Sequence, residues 1–186
     1  LPVRSMISRT VRPDELKKLG VRLERDKDIP PDDLITLLEC SGYVREDPIL
    51  NVGQFSVRGG ILDVWSPDSA LPVRIEFFGD TVDSIREFDP ETQLSTGQLK
   101  VASIAPMREF SAGPDDFKEW ALLVGERFND EVYGRSIKDR TDFAEEGESF
   151  SGWEFLLPLT RPLQGSVFDY LRDFVFVVDE PTVVES

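Results

Sequence analysis

Side chains capable of recognition or catalysis concentrate in two places in this sequence. The first holds Arg58, Arg74 and Phe78, set in runs where apolar and polar residues alternate. An arginine fork grips a carboxylate through two parallel hydrogen bonds while its stem covers apolar surface, and a nearby aromatic ring is the common companion of such an anchor. The second is the pair Asp179 and Glu180, which closes the apolar run Phe174-Val175-Phe176-Val177-Val178. Two acids at the carboxyl end of a buried parallel strand form the Walker B pattern, which holds Mg²⁺ and orients water only beside a phosphate-cradling glycine loop with its lysine. No Gly-x-x-x-x-Gly-Lys-Ser/Thr occurs in the 186 residues, so the pair is half a site and is read as the cap of a strand.

Composition narrows the chemistry further. There is no histidine and one cysteine, Cys40, which removes Ser-His, Cys-His and the usual zinc sites as well as an internal disulfide. No catalytic residue, cofactor or metal is therefore expected. The formal charge of −15 and a pI near 4.4 argue against a surface that grips phosphate backbones, so nucleic acid is not expected as a direct partner. Residues 111–186 carry 7 basic and 17 acidic side chains (−10), against 14 and 19 (−5) in residues 1–110. With 40% apolar residues and 10% aromatics the chain can fill one large or two small cores. No apolar run approaches the ~18 residues that span a bilayer, and the start is not a signal peptide. A monomer in a reducing cytoplasm, with no membrane partner, is the expected state.

Positioning the arginines falls to a β-meander over residues 53–89. Phe55 and Val57 share one strand face, which sends Arg58 to the other, and the Gly59-Gly60 pair suggests a bulge or a close backbone approach before residues 61–65 continue. A turn at Ser66-Pro67-Asp68-Ser69 follows. Val73, Ile75 and Phe77 then line one face of the next strand, leaving Arg74, Glu76 and Phe78 on the other. Phe78 is the residue that breaks the pattern. On composition alone Arg58 and Arg74 would be surface arginines paired with Asp63 or Glu76.

Around this meander the sequence predicts a short helix from Pro13 ended by Gly20, a strand at 21–24, and a helix from Pro30 whose Leu34, Leu37 and Leu38 share a face. Residues 100–106 predict a last strand, and Ser111-Ala112-Gly113-Pro114 a hinge, placing a boundary near residue 110. From Asp115 onward Phe117, Trp120, Ala121, Val124 and Phe128 recur at helical spacing. Residues 129–148 predict a solvated helix or a mobile loop. The expected fold class is α+β: a small antiparallel-sheet domain (20–110) packed beside an α/β portion (111–186), with 1–19 as the tail of a preceding domain and a connector.

The order of a glycine and an aromatic, Arg58-Gly59-Gly60, Ile61-Leu62-Asp63, Arg74-Ile75-Glu76-Phe77-Phe78-Gly79-Asp80 and Phe88-Asp89-Pro90-Glu91-Thr92-Gln93 resembles a known family. It is similar to the second domain of the bacterial transcription-repair coupling factors (Mfd) and, more distantly, of the excinuclease subunit UvrB. The match runs over about 40 ordered residues, far more specific than a short motif. Gly152-Trp153-Glu154-Phe155 and Phe168-Asp169-Tyr170-Leu171 resemble the coupling factors more than UvrB, which has Ser and His where Pro181 and Thr182 stand here. The resemblance implies a UvrA-binding domain at 20–110, with Arg58, Arg74 and Phe78 on the face that meets UvrA, and Asp179 and Glu180 as a relic. It further implies a recruiting role, bringing nucleotide excision repair to stalled RNA polymerase, in a longer protein whose other domains can mask that face. Motor, polymerase-binding and DNA-contacting modules of the family are not in this chain. Two other readings stand beside it: a piece of UvrB itself, a DNA-dependent ATPase, and a purely structural module.

Overall fold

The computed structural model describes residues 8–128, 131–171, 173–175 and 177. The first described helix is α1 (Pro13–Leu19), whose first turn carries Asp14 and Glu15 and whose last carries Lys17 and Lys18, matching the helix dipole at both ends. The Glu15 carboxylate also accepts from the Arg12 amide at 3.1 Å, satisfying a donor that the helix itself leaves open. Strand β1 (Val21–Glu24) follows. It pairs antiparallel with β8 (Val101–Ile104), Leu23 opposite Ala102, so the first and last strands of this unit close against each other.

Between them helix α2 (Pro31–Cys40) buries Leu34 and Leu38, and a six-stranded sheet runs in simple sequence order. Its strands are β2 (Val44–Arg45), β3 (Gln54–Arg58), β4 (Ile61–Val64), β5 (Val73–Phe78), β6 (Thr81–Phe88) and β7 (Ser95–Leu99). Only the β2–β3 pair is parallel. The Gly59-Gly60 pair is a two-residue hairpin turn and not a bulge, because Arg58 and Ile61 lie directly opposite each other and leave only those two residues to reverse the chain, and the close backbone approach is realised at Gly60, whose carbonyl accepts from the Phe77 amide at 2.8 Å. Gly59 sits at φ 59°, a conformation that a side chain disfavours. Strand β7 had no signal in the sequence, since Ser95, Thr96, Gly97 and Gln98 bury little and show no apolar alternation.

One face of the sheet supplies Phe55, Leu62, Val64, Val73, Ile75, Val82 and Ile85 to a core that also takes Leu34 and Leu38 from α2 and Leu23, Ala102 and Ile104 from the closing strands. A second core forms apart from it. Helices α3 (Pro114–Arg127), α4 (Glu131–Glu145) and α5 (Trp153–Leu156) bring together Phe117, Trp120, Ala121, Val124, Ala144, Phe150 and Trp153, with Phe128 partly buried beside them. Phe117 meets Trp153 edge-on at 5.3 Å, and the Trp120 indole donates to the Leu156 carbonyl at 3.1 Å. The helix alternative for residues 129–148 is the one realised, in α4.

Helices α3, α4 and α5 follow the last strand, while α1 and α2 stand at the start of the sheet unit, so helices and strands are largely segregated along the chain, as suits an α+β class. The strand expected over 174–178 is not formed at the described positions: Phe174, Val175 and Val177 are 63%, 90% and 88% exposed, and none of the three is in a strand. Asp179 and Glu180 lie outside the described residues. Among the described residues no helix is long and apolar enough to cross a membrane.

Tyr43 ties the sheet core to the exit strand, its hydroxyl donating to the Ala105 carbonyl at 2.6 Å while its ring is buried. Burial pushes its phenol from 10.0 up to about 12. The unfolded chain therefore loses this proton first as pH rises, and a stability contribution intact below pH 10 disappears between 10 and about 12. Urea denaturation at about pH 9 and about pH 11 should show this fall, up to about 2–3 kcal/mol over the whole window, and Tyr43→Phe should lack that part of it.

Candidate protein-interaction face

Strand β4 is where the candidate residues converge. Its alternation sends Leu62 and Val64 into the core and Asp63 to the opposite face, where Asp63 stands across from Ser56 on β3 and Arg74 on β5. A carboxylate on an outer face should be solvated, yet Asp63 is 1% exposed. Arg58 and Arg74 cover it. Arg74 donates from Nε to Oδ1 at 2.7 Å and from Nη2 to Oδ2 at 2.8 Å, a bidentate grip, and Arg58 adds Nη2 to Oδ2 at 2.6 Å. Three charge-assisted hydrogen bonds offset the desolvation of the buried charge.

The two arginines are not equivalent. Arg74 is 17% exposed at its side chain, gives a further hydrogen bond to Gln93 Oε1 at 3.1 Å, and lies 4.5 Å over the Phe88 ring. Hydrogen bonding to Asp63 holds its guanidinium above the ordinary arginine pKa. Arg58 is 43% exposed, and its second bonding direction meets only Asp47, 3.5 Å from Nη1. Arg74 is thus committed to the fold, while Arg58 keeps part of its fork at the surface.

A second ion pair neutralises the neighbouring strand. Arg86 on β6 stands directly opposite Arg74, a like-charge juxtaposition that would weaken the sheet if either were unpaired. Glu76 resolves it by accepting from the Ser84 hydroxyl at 2.7 Å and from Arg86 Nη2, and those two donors hold its carboxyl below the usual range, the hydroxyl most. Phe78 closes β5 just before the Gly79-Asp80 turn and is 84% exposed. It lies about 13 Å along the strand from Arg74 at ~3.3 Å per residue.

Of the alternatives left by the sequence, Asp63 takes both arginines and Glu76 takes Arg86 instead. Phe88, Gln93, Arg86 and Asp47 escaped sequence reasoning; Asp63 had a signal, being the charged member of an otherwise apolar strand. Among the described residues no group of three His, Cys, Asp or Glu side chains could hold a metal ion. The face combines planar forks locked by carboxylates with one exposed aromatic ring.

Residues 21–110 match the family model described as the UvrB interaction domain. Over 97% of its length the chain is 35% identical to the transcription-repair-coupling factor of Myxococcus xanthus, and over 96% it is 30% identical to that of Haemophilus influenzae. It is also 30% identical over 92% of its length to the UvrABC system protein B of Clostridium botulinum. The chain spans 16% and 15% of those two coupling factors and 29% of the UvrABC protein.

The unequal commitment of the two arginines is measurable as stability. Arg74→Ala leaves a buried carboxylate with one exposed donor and should destabilise the fold by about 3 kcal/mol, while Arg58→Ala, which leaves the bidentate grip intact, should cost less than about 1 kcal/mol. Chemical denaturation of the two variants side by side checks the order.

Proposed function

Residues 21–110 belong to the UvrB interaction domain family, and from that premise we propose that this chain is a recruiting module of a transcription-repair coupling factor, binding UvrA through the outer face of its sheet. In that role it brings nucleotide excision repair to a stalled RNA polymerase, with the motor and polymerase contacts supplied by other parts of a longer protein. The 35% identity over 97% of the chain to the Myxococcus xanthus coupling factor, against 30% over 92% to the UvrABC protein B, supports this reading over a piece of UvrB.

The observation that carries it is Phe78. A phenyl ring 84% exposed at a strand end gains little from water and much from a partner's pocket, and it shares its strand with one of the two arginines locked on Asp63. Those arginines divide the work. Arg58, with part of its fork at the surface, takes a carboxylate of an acidic partner segment; Arg74 supports the face by holding Asp63 and covering Phe88. Nothing in this scheme needs catalysis by the chain, and the role is one of recruitment. The balanced charges of the face, set in a chain of net charge −15, favour an acidic-loop contact at the arginines over a phosphate backbone.

Calorimetric titration with purified UvrA tests the proposal. The parent chain should bind, and Phe78→Ala, which truncates a ring 84% exposed, should weaken binding by about 30-fold or more, as expected of a central anchor. Arg58→Glu should reduce binding comparably with circular dichroism unchanged. Unaltered affinity in both folded variants would remove this face from the interaction and leave a structural module as the better reading.

A further inference from the structure

Arg58 stands between two carboxylates of opposite character. Asp63 is buried, 2.6 Å away, and already takes the bidentate grip of Arg74, so no incoming group can replace it. Asp47 lies 3.5 Å away, beyond hydrogen-bond range for a good N–H···O contact, and its side chain is 53% exposed. An incoming carboxylate that approaches Arg58 from solvent therefore meets Asp47 first.

The loop that carries Asp47 is not a loose tether. Its first residues are pinned where the Glu46 amide donates to the Phe55 carbonyl at 2.9 Å. Further along, Gln54 Oε1 accepts from the amides of Leu50 and Asn51, both at 2.8 Å, and the Gly53 amide donates to the Trp65 carbonyl at 2.8 Å. Ile49, two residues beyond Asp47, is 1% exposed and anchors the middle. The backbone thus holds Asp47 beside Arg58, and among the described residues its carboxylate has the long contact to Arg58 as its one ion pair.

We infer that Asp47 is an internal competitor for Arg58: it occupies the solvent side of the guanidinium until a carboxylate of the binding partner displaces it. This inference rests on the proposed binding face and assigns it a built-in regulator. Asp63 fixes where the fork points and Asp47 sets how readily it is given up. An exposed ion pair is weak enough to exchange and strong enough to discriminate, since only a partner that offers a better-placed carboxylate gains by replacing it.

The test is a double-mutant cycle with purified UvrA, comparing the parent, Asp47→Asn, Arg58→Ala and the double variant by calorimetry at physiological salt. Asp47→Asn should bind about three- to tenfold more tightly than the parent, and it should make no difference in the Arg58→Ala background. An unchanged or weaker affinity for Asp47→Asn would overturn the competitor role. A gain that persists without Arg58 would also overturn it, by showing that the lost charge acts at long range. Absence of binding by the parent would instead remove the underlying binding face, and binding by the parent that Arg58→Glu and Phe78→Ala leave untouched would do the same.

Discussion

A buried carboxylate is the constraint on which the outer face of this sheet depends. Asp63 is placed by strand alternation on the side away from the core, and it can remain out of water only because three arginine hydrogen bonds replace its hydration. The consequence spreads across four strands. Arg58 reaches in from β3 and Arg74 from β5, Phe88 at the end of β6 and Gln93 in the corner after it hold Arg74, and Glu76 must neutralise Arg86 because Arg74 stands opposite it. Removing the central charge would leave two cations facing each other without a common partner.

That network explains how a flat sheet face can be both polar and rigid. Exposed long side chains ordinarily lose conformational entropy when a partner orders them. Here the cross-strand ion pairs have already fixed the guanidinium planes, and the exposed Phe78 ring stands near the end of the same face. The hydrophobic core beneath supplies the other half of the rigidity. Strands β1 and β8 close the unit on itself, and the Tyr43 hydroxyl fastens the exit segment to the core.

The helical part of the chain is organised on different terms. Its aromatic residues stack edge-on among themselves and form a cluster separate from the sheet core. The chain's acidity is concentrated there, while its candidate recognition residues lie in the sheet unit. The arginine cluster and most of the negative net charge are thereby separated along the chain.

Much of this was legible in the sequence, for identifiable reasons. Period-two alternation placed Phe55, Val73 and Ile75 inside and Arg58, Arg74 and Phe78 outside, and helical spacing marked Phe117, Trp120, Ala121 and Val124 as one buried face. The order of glycines, arginines and aromatics pointed to the family. Edge strand β7 was illegible because its residues bury too little to leave a pattern, and the Gly59-Gly60 pair was ambiguous because glycine serves a bulge and a hairpin equally well. The sequence by itself determined which side chains face which way, since alternation is a local property of extended backbone. Only the tertiary structure decided what those side chains do: cross-strand register set Asp63 within reach of both arginines, gave Glu76 to Arg86, and left Asp47 beside the exposed edge of Arg58. Register depends on hydrogen bonds between residues far apart in the chain, and no local pattern encodes it.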